Sequence, residues 1–314
     1  MRQKMEVWDI IIIGGGPAGL TAGLYSARAR LKTLLLEGGV IGGQAATTEW
    51  IENYPGFADG VSGFELMYTF QRQAEKFGLE IRNEEVIGLE SAEGLKTVST
   101  PEARYSGKAV IIASGARPRK LGVPGEEAFH GRGVSYCATC DGAFFKDKTV
   151  VVVGGGDAAV EEALLLTRYA SQVYLVHRRD QLRAAGIIQE RLFRNPKVTV
   201  CWNSTVQEIK GEEKVETVVL RDVKTRQVRE LKADGVFIYV GVQPNTSFLG
   251  TLVRTNKEGY ICVDNSLQTS IPGVFAAGDV RDKDLRQVAT AVGDGALVVY
   301  SVERYLASFD HLPG

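Results

Sequence analysis

A chain of 314 residues is longer than one typical domain and is expected to hold two, each with its own core. Hydrophobic residues make up 44% and charged residues 24%, an ordinary composition for a soluble globular protein. With 37 Lys and Arg against 38 Asp and Glu the net charge is −1, which offers no electrostatic basis for binding nucleic acid or an anionic membrane.

The N-terminus opens polar, and its apolar run from Ile10 to Ile13 stops at once in glycines, too short for a signal peptide. No stretch approaches a membrane span, and the chain is expected to be cytoplasmic. Val7 to Ile13 reads as a buried strand. Gly14-Gly15-Gly16-Pro17-Ala18-Gly19 then turns into a helix running to about Ala29, and Thr33 to Leu36 forms a second strand that ends at Glu37. This is a G-x-G-x-x-G fingerprint in its strand–turn–helix setting. Gly14 permits the tight turn, Gly16 lets the backbone approach a pyrophosphate, and Gly19 lets helix and strand pack closely. Glu37 stands where a carboxylate accepts hydrogen bonds from ribose hydroxyls and repels a 2′-phosphate, so the first site should take a plain adenosine, as in FAD. Farther on, a helix over 63–77 places Met67, Phe70, Ala74 and Phe77 at core spacing.

The same unit then returns. Thr149 to Val153 is a strand, Gly154-Gly155-Gly156-Asp157-Ala158-Ala159 the turn, Val160 to about Tyr169 a helix, and Val173 to Val176 the next strand. Every landmark is displaced by 140 residues, Gly14 to Gly154, Gly16 to Gly156, Gly19 to Ala159 and Glu37 to His177. One glycine-rich match alone is a weak signal; two in register are a strong one. Where the first unit has its acid the second reads His177-Arg178-Arg179-Asp180, with Arg183 one turn on, and guanidinium groups make paired hydrogen bonds to phosphate. The second site should therefore prefer NADPH over NADH.

Strands follow near 198–202, 215–221 and 235–240, and the segment from Asn245 to Gly259 lacks periodicity. Gly273 to Asp279 is a strand running into a turn. A last helix from about Arg286 to Ala307 carries Ala289, Val292, Ala296, Val299 and Leu306 on one face. A lone strand and helix cannot form a domain, so they are expected to rejoin the first unit. The fold class is thus α/β, with two Rossmann-like dinucleotide-binding domains and the second inserted into the first. The joins are expected near Arg117 and Asn245, beside Pro118 and Pro244, dividing the chain at 1–117, 118–245 and 246–314.

Two nucleotide sites imply electron transfer between cofactors, and the acceptor is indicated by Cys137-Ala138-Thr139-Cys140, just before the second glycine-rich strand. Such a pair close to a flavin can accept electrons as a disulfide and pass them on as a dithiol. Asp141 can supply or remove the proton that thiol exchange requires. A zinc knuckle is the structural alternative, but it needs a second ligand pair, and Cys201 and Cys262 stand far apart in strand-like runs that suit small buried residues. No metal is expected.

The stretch Gly131 to Gly142, together with Gly154 to Ala159, His177 to Arg183, Gly273 to Asp279 and Arg286-Gln287, resembles low-molecular-weight thioredoxin reductases over essentially the whole chain. The resemblance implies an FAD domain in two segments, an inserted NADPH domain bearing Cys137 and Cys140, a homodimer, and reduction of thioredoxin. It implies FAD contacts at Gly14, Gly16, Pro17, Ala18, Gly19 and Glu37, at Gly42-Gly43-Gln44, Thr47 and Asn53, at Ala113 and Gly115, at Gly278-Asp279 and at Arg286-Gln287-Val288. Contacts to NADPH are implied at Gly154, Gly156, Asp157, Ala158, His177, Arg178, Arg179 and Arg183. It makes Cys140 the flavin-facing thiol and Cys137 the one that attacks the partner, and it suggests docking of thioredoxin at Arg132, Phe144 and Phe145. Ser114 stands for the family's Thr, Val288 for its commoner Ala, and Ala143 for a common aromatic. Rival readings are a similar flavoprotein serving another disulfide acceptor, such as a glutaredoxin-like protein, and a redox-inert nucleotide-binding scaffold. Relatives with an extra N-terminal thioredoxin-like domain are not expected, because Met1 leads directly into the first strand. Nicotinamide and the cysteine pair should compete for one face of the flavin, so the inserted domain is expected to rotate about its two joins.

Overall fold

The protein is described by a computed structural model covering residues 6–48, 50–92 and 94–309. It divides into two compact units, one formed by the chain up to Arg117 and again from Gln243, the other by Pro118–Val242. In chain order the first unit contributes β1 (Val7–Ile13), α1 (Pro17–Arg28), β2 (Thr33–Leu36), α2 (Gly43–Ala46), α3 (Gly63–Lys76), β3 (Glu80–Arg82), β4 (Gly88–Ala92), β5 (Leu95–Ser99), β6 (Arg104–Ile112) and β7 (Ala116–Pro118). The second unit carries β8 (Val134–Ser135), α4 (Ala138–Asp141), β9 (Thr149–Gly154), α5 (Asp157–Leu166), β10 (Gln172–Val176), α6 (Gly186–Arg194), β11 (Val198–Cys201), β12 (Ser204–Lys210), β13 (Thr217–Asp222), β14 (Val228–Lys232) and β15 (Gly235–Tyr239). The chain leaves it through β16 (Val242–Pro244), which pairs with β7, and ends in β17 (Val274–Ala276) and α7 (Val288–Phe309).

The first sheet runs β3-β2-β1-β6, all parallel, and the far edge of β6 is shared. Its first half pairs with the antiparallel β4–β5 hairpin, while Val110–Ile112 pairs in parallel with the returning β17. Both faces of this sheet are covered, which is why β1 reads as an unbroken apolar run. Ile10 and Ile12 pack in one cluster with residues of α1 and α7; Ile11 and Ile13 pack in another with Val110, Ile112 and Val274. The second unit repeats the plan as β11-β10-β9-β15-β8, all parallel, with a separate antiparallel sheet β12-β13-β14. Val150 and Val152 face α5 and α6, whereas Val151 and Val153 pack with Val206, Ile209, Val218 and Leu220 from that small sheet.

Four expectations about elements are corrected. Helix α5 begins at Asp157, inside the turn, and stops at Leu166. Strands β12 and β14 lie outside the expected strands, and β14 carries Arg229, Glu230 and Lys232 on an exposed edge with no apolar period. The buried face of α7 is Ala291, Val298, Val299, Val302 and Leu306, with Ala289 exposed. Apolar residues fall on more than one side of this helix, with Ala289, Leu297 and Tyr300 exposed, so its own pattern does not single out the buried face. Its face is chosen by α1, which Gly295 lets approach so closely that a Cβ there would overlap the Ala18 carbonyl oxygen. On α3, Leu66, Met67 and Ala74 are buried, but Phe77 lies beyond the last helical residue and is exposed, with the Arg28 guanidinium 5.6 Å from its ring centre.

Candidate active site

The first glycine-rich turn is shaped by backbone contacts that exclude a side chain on one side and leave space on the other. Gly14 has φ +106°, and a Cβ there would run into the Ala113 carbonyl; a Cβ on Gly19 would overlap the Gly14 carbonyl oxygen. Gly16, by contrast, has nothing within 4 Å of where its Cβ would sit. It is the N-cap of α1 and has no side-chain cap, and Pro17 stands at the start of the helix, so no capping side chain takes the first helical N–H groups. That is the arrangement a phosphate occupies. The Glu37 carboxylate, at the end of β2, accepts the N–H of Gly15 at 2.7 Å and that of Gly39 at 2.8 Å, which fixes its position beside the turn.

The other expected first-unit residues converge on the same turn. Gly42, in the left-handed region, donates its N–H to Gly15 at 2.8 Å, and Gly43 lies against Gly16. Gln44 donates to the Ala116 carbonyl, and Thr47 donates to the Gln44 carbonyl at 2.9 Å. Ala113 continues from β6, its N–H donated to Ile13 at 2.7 Å, and Gly115 has φ +65°. Ser114 and Asn245 clasp one another, the hydroxyl donating to Asn245 O at 2.7 Å and the amide to Ser114 O at 2.9 Å. Gly278 packs on Ala18, and Asn53 donates to Gln287 at 3.2 Å, just before Val288 opens α7. Two buried polar atoms here make no hydrogen bond, Asp279 Oδ1 and Arg286 Nε, although Lys283 Nζ lies 3.5 Å from the former. The Arg286 guanidinium stacks over Tyr260 at 3.9 Å. An open helix N-terminus, a ribose-ready carboxylate and these two unsatisfied polar atoms fit a flavin nucleotide.

Behind Gly278 and Asp279 lies a charge cluster that sequence reasoning missed. Asp294 accepts Arg281 Nε and a terminal guanidinium nitrogen at 2.7 Å each, the Gly278 N–H at 2.9 Å and Lys283 Nζ at 3.2 Å. Burial opposes ionisation of Asp294, but the Arg281 hydrogen bonds and the Lys283 charge outweigh it and hold the carboxyl below its usual range. Asp279 goes the other way: burial raises it despite Lys283 and Arg286. The available signal was a lone acid between Val288 and Val299, a stretch otherwise of small and apolar residues.

In the second unit Gly156 is again an uncapped N-cap with nothing within 4 Å of its Cβ position. Asp157 accepts the Ala185 N–H at 2.7 Å, Ala158 is exposed, and Ala159 is buried in the helix–sheet contact. Arg178, Arg179 and Arg183 are exposed. Arg183 is not a helical turn beyond the pair but lies in an irregular segment, tied to the turn by its N–H on Gly155 O at 2.7 Å. His177 departs from expectation. It is 5% exposed, its ring nitrogens lie 2.9 Å from Gly154 O and 3.0 Å from Gln181 O, and a Cβ on Gly155 would strike the ring. Burial, with smaller effects from Arg183 and Arg179, lowers its pKa. The imidazole therefore props the turn from beneath, and the exposed basic cluster consists of the three arginines.

Cys137 and Cys140 are joined in a disulfide that closes the single turn α4. The Cys140 N–H points to Cys137 Sγ at 3.1 Å, the Cys137 N–H to Ser135 Oγ at 3.0 Å, and the Asp141 N–H to Cys137 O at 3.1 Å. Cys140 is exposed, and Cys137 and Asp141 are half-buried. Tyr136, one residue earlier, donates its hydroxyl to Glu126 at 2.7 Å. Phe144 is 73% exposed, but Phe145 is only 7% exposed and packs edge-on against Phe237, so it belongs to the core and not to an outer docking surface. Arg132 is exposed. Cys201 is buried, its thiol pushed up by burial, and Cys262 is half-buried. Among the described residues no group of three or more His, Cys, Asp or Glu is gathered to hold a metal, and no helix is long and apolar enough to cross a membrane.

Residues 8–295 match the family described as pyridine nucleotide-disulphide oxidoreductase. The chain is 51% identical over 305 residues to the thioredoxin reductase of Bacillus subtilis (strain 168), covering 97% of this chain and 96% of that one. It is 48% identical over 299 residues to the thioredoxin reductase of Treponema pallidum (strain Nichols), covering 95% and 97%. The crystal structure of Lactococcus lactis thioredoxin reductase superposes with a TM-score of 0.94 at 48% identity, covering 96% of this chain and 99% of that one. With two Rossmann-like units, one inserted in the other, and a two-cysteine disulfide beside the second nucleotide turn, the chain belongs to the pyridine nucleotide-disulphide oxidoreductase family and, within it, to the flavoprotein thioredoxin reductases.

Proposed function

We propose that the chain is an NADPH-dependent thioredoxin-disulfide reductase, and the observation that carries this reading is the Cys137–Cys140 disulfide built onto a dinucleotide-binding unit. In the net reaction NADPH, a proton and a protein disulfide give NADP⁺ and a dithiol. FAD, when bound in the first unit, supplies the two-electron step between nicotinamide and sulfur. Gly14, Gly16, Gly19 and Glu37 would hold its adenosine and pyrophosphate, and Asp279 and Arg286 would meet its remaining polar groups. Gly154 and Gly156 would receive the second nucleotide, with Arg178, Arg179 and Arg183 on the 2′-phosphate. Two electrons and two protons open the Cys137–Cys140 bond. Cys137, as thiolate, then attacks the thioredoxin disulfide, Cys140 resolves the mixed disulfide, and Asp141 moves the proton each exchange requires. Arg132 and Phe144 are the docking contacts, and the enzyme acts as a cytoplasmic homodimer.

The test is NADPH oxidation by the purified protein with thioredoxin and a glutaredoxin-like protein as rival acceptors. Coenzyme choice is tested by replacing Arg178 and Arg179 with Ala. A charge-assisted contact contributes about 1.5–3 kcal/mol, so NADPH affinity is expected to fall at least ~tenfold with NADH little changed. Equal losses for both coenzymes would reject the assignment.

A further inference from the structure

The last residue of β15 touches both parts of the second unit's chemistry. Tyr239 lies opposite Gly154 in the parallel β9–β15 register, at the root of the second glycine-rich turn, where a Cβ on Gly154 would run into its carbonyl oxygen. Its ring packs on the core cluster that contains Ala138, Val152 and Phe237, and its hydroxyl oxygen accepts the Ala138 N–H at 2.8 Å. Ala138 follows Cys137, is 0% exposed, and is the first residue of α4, so neither water nor a preceding helical carbonyl takes its N–H. Burial, together with the nearby charges of Glu162 and Asp141, raises the Tyr239 pKa, so the hydroxyl stays protonated, and its oxygen still has a lone pair with which to accept.

We propose that Tyr239 is a positioning residue for the redox pair, anchoring the closed Cys137–Ala138–Thr139–Cys140 turn through the Ala138 N–H and thereby biasing the pair toward the disulfide. The reason is geometric. Two bonded sulfurs tie residues 137 and 140 together across the turn, whereas two thiols move apart to van der Waals contact and release that covalent tie. A hydrogen bond fitted to the closed turn is worth more in the disulfide than in the dithiol, so it shifts the equilibrium between them. Because β15 also borders Gly154, the same strand that flanks the nucleotide turn sets the position of the disulfide. This inference rests on Cys137 and Cys140 being the electron-carrying pair, but its test reads the sulfur equilibrium directly and does not depend on which protein accepts the electrons.

The holoenzyme is equilibrated in mixtures of reduced and oxidised dithiothreitol. The protein disulfide takes two electrons and two protons from reduced dithiothreitol, giving two thiols and the oxidised six-membered ring. Alkylation followed by mass spectrometry of the peptide spanning 137–140 measures the fraction reduced. In Tyr239→Phe the equilibrium should move toward the dithiol by about three- to tenfold, the scale of one hydrogen bond. Tenfold corresponds to about 30 mV for this two-electron couple. Ala138→Pro removes the same bond from the donor side. The first helical position tolerates proline, and Cys137, at φ −142° and ψ 98°, already has the extended backbone a residue before proline needs. This variant should shift the equilibrium the same way, and the double variant should shift it no further than Ala138→Pro alone. An unchanged equilibrium in Tyr239→Phe, or additive effects in the double variant, overturns the proposal. Should Tyr239→Phe fail to keep its flavin spectrum, Ala138→Pro decides alone: no shift toward the dithiol overturns it.

Discussion

Asp294 and Asp279 sit within one cluster, and burial raises both, yet their net shifts have opposite signs. Asp294 has exchanged water for Arg281, Lys283 and the Gly278 N–H, and its carboxyl is held low. A carboxylate depressed in the folded state stabilises the protein above its unfolded pKa, near 4, and that contribution is lost as pH falls through the folded value. Asp294→Ala leaves Arg281 and Lys283 without their shared partner and is expected to cost about 3–5 kcal/mol at neutral pH, measured by urea unfolding. Asp279 is raised by burial, so it favours the folded state at low pH and disfavours it as pH rises through its folded pKa. In flavin-free protein Asp279→Asn should therefore raise the melting temperature at pH 7 while weakening FAD binding, read by flavin fluorescence. A lower melting temperature would show that the carboxylate is paired without the flavin. At sulfur, Cys137→Ser should permit flavin bleaching by NADPH but abolish turnover on thioredoxin. Cys201→Ser, at a buried thiol away from the disulfide, should leave turnover unchanged.

The turn-and-helix elements separate two requirements that one motif conceals. At Gly19 the absence of a side chain is demanded by the protein itself, because a Cβ would overlap the Gly14 carbonyl oxygen. Gly19→Ala should destabilise the first unit even without a ligand. At Gly16 the protein makes no such demand, since nothing lies within 4 Å of the Cβ position. Gly16→Ala should fold with an unchanged melting temperature in flavin-free form and bind FAD at least ~tenfold more weakly, because on the proposed reading the added methyl would stand where the pyrophosphate approaches. If both variants were destabilised equally without flavin, the distinction would fail. Gly156→Ala tests the same point in the second unit, with NADPH as the ligand.

For the whole molecule, the expected rotation follows from which chain segments carry which groups. The nucleotide turn at 154–159, Cys137 and Cys140 lie in the inserted unit, and the flavin fingerprint lies in the other. In the proposed relay each of the two groups would reach the flavin in turn, and the chain crosses between the units at β7 and β16. Cysteines introduced to lock the units together should lower thioredoxin turnover strongly in the crosslinked enzyme and restore it on selective reduction of the crosslink. Turnover of the locked enzyme at the unlocked rate would rule the rotation out.

The duplicated strand–turn–helix units were legible because they rest on local chemistry: apolar runs that must be buried on both faces, and glycine-rich turns in which Gly14, Gly19 and Gly154 sit where the backbone admits nothing larger. The Cys137–Cys140 spacing was legible for the same reason, since a single turn brings the two sulfurs together. Packing between distant segments was not legible. Which face of α7 is buried depends on α1, and whether Phe145 docks a partner or fills the core depends on Phe237. His177 was grouped with its arginine neighbours by sequence, and only the fold of β10 against the Gly154–Gly155 turn places its ring beneath that turn. Tyr239 was silent and Asp294 nearly so, because a tyrosine at a strand end and an acid in a mostly apolar stretch acquire partners only when remote segments close over them. The sequence by itself determined the two strand–turn–helix units, the insertion and the residue types of the chemistry. Tertiary structure decided which side chains face those groups, because burial and hydrogen-bond partners come from contacts between segments far apart along the chain.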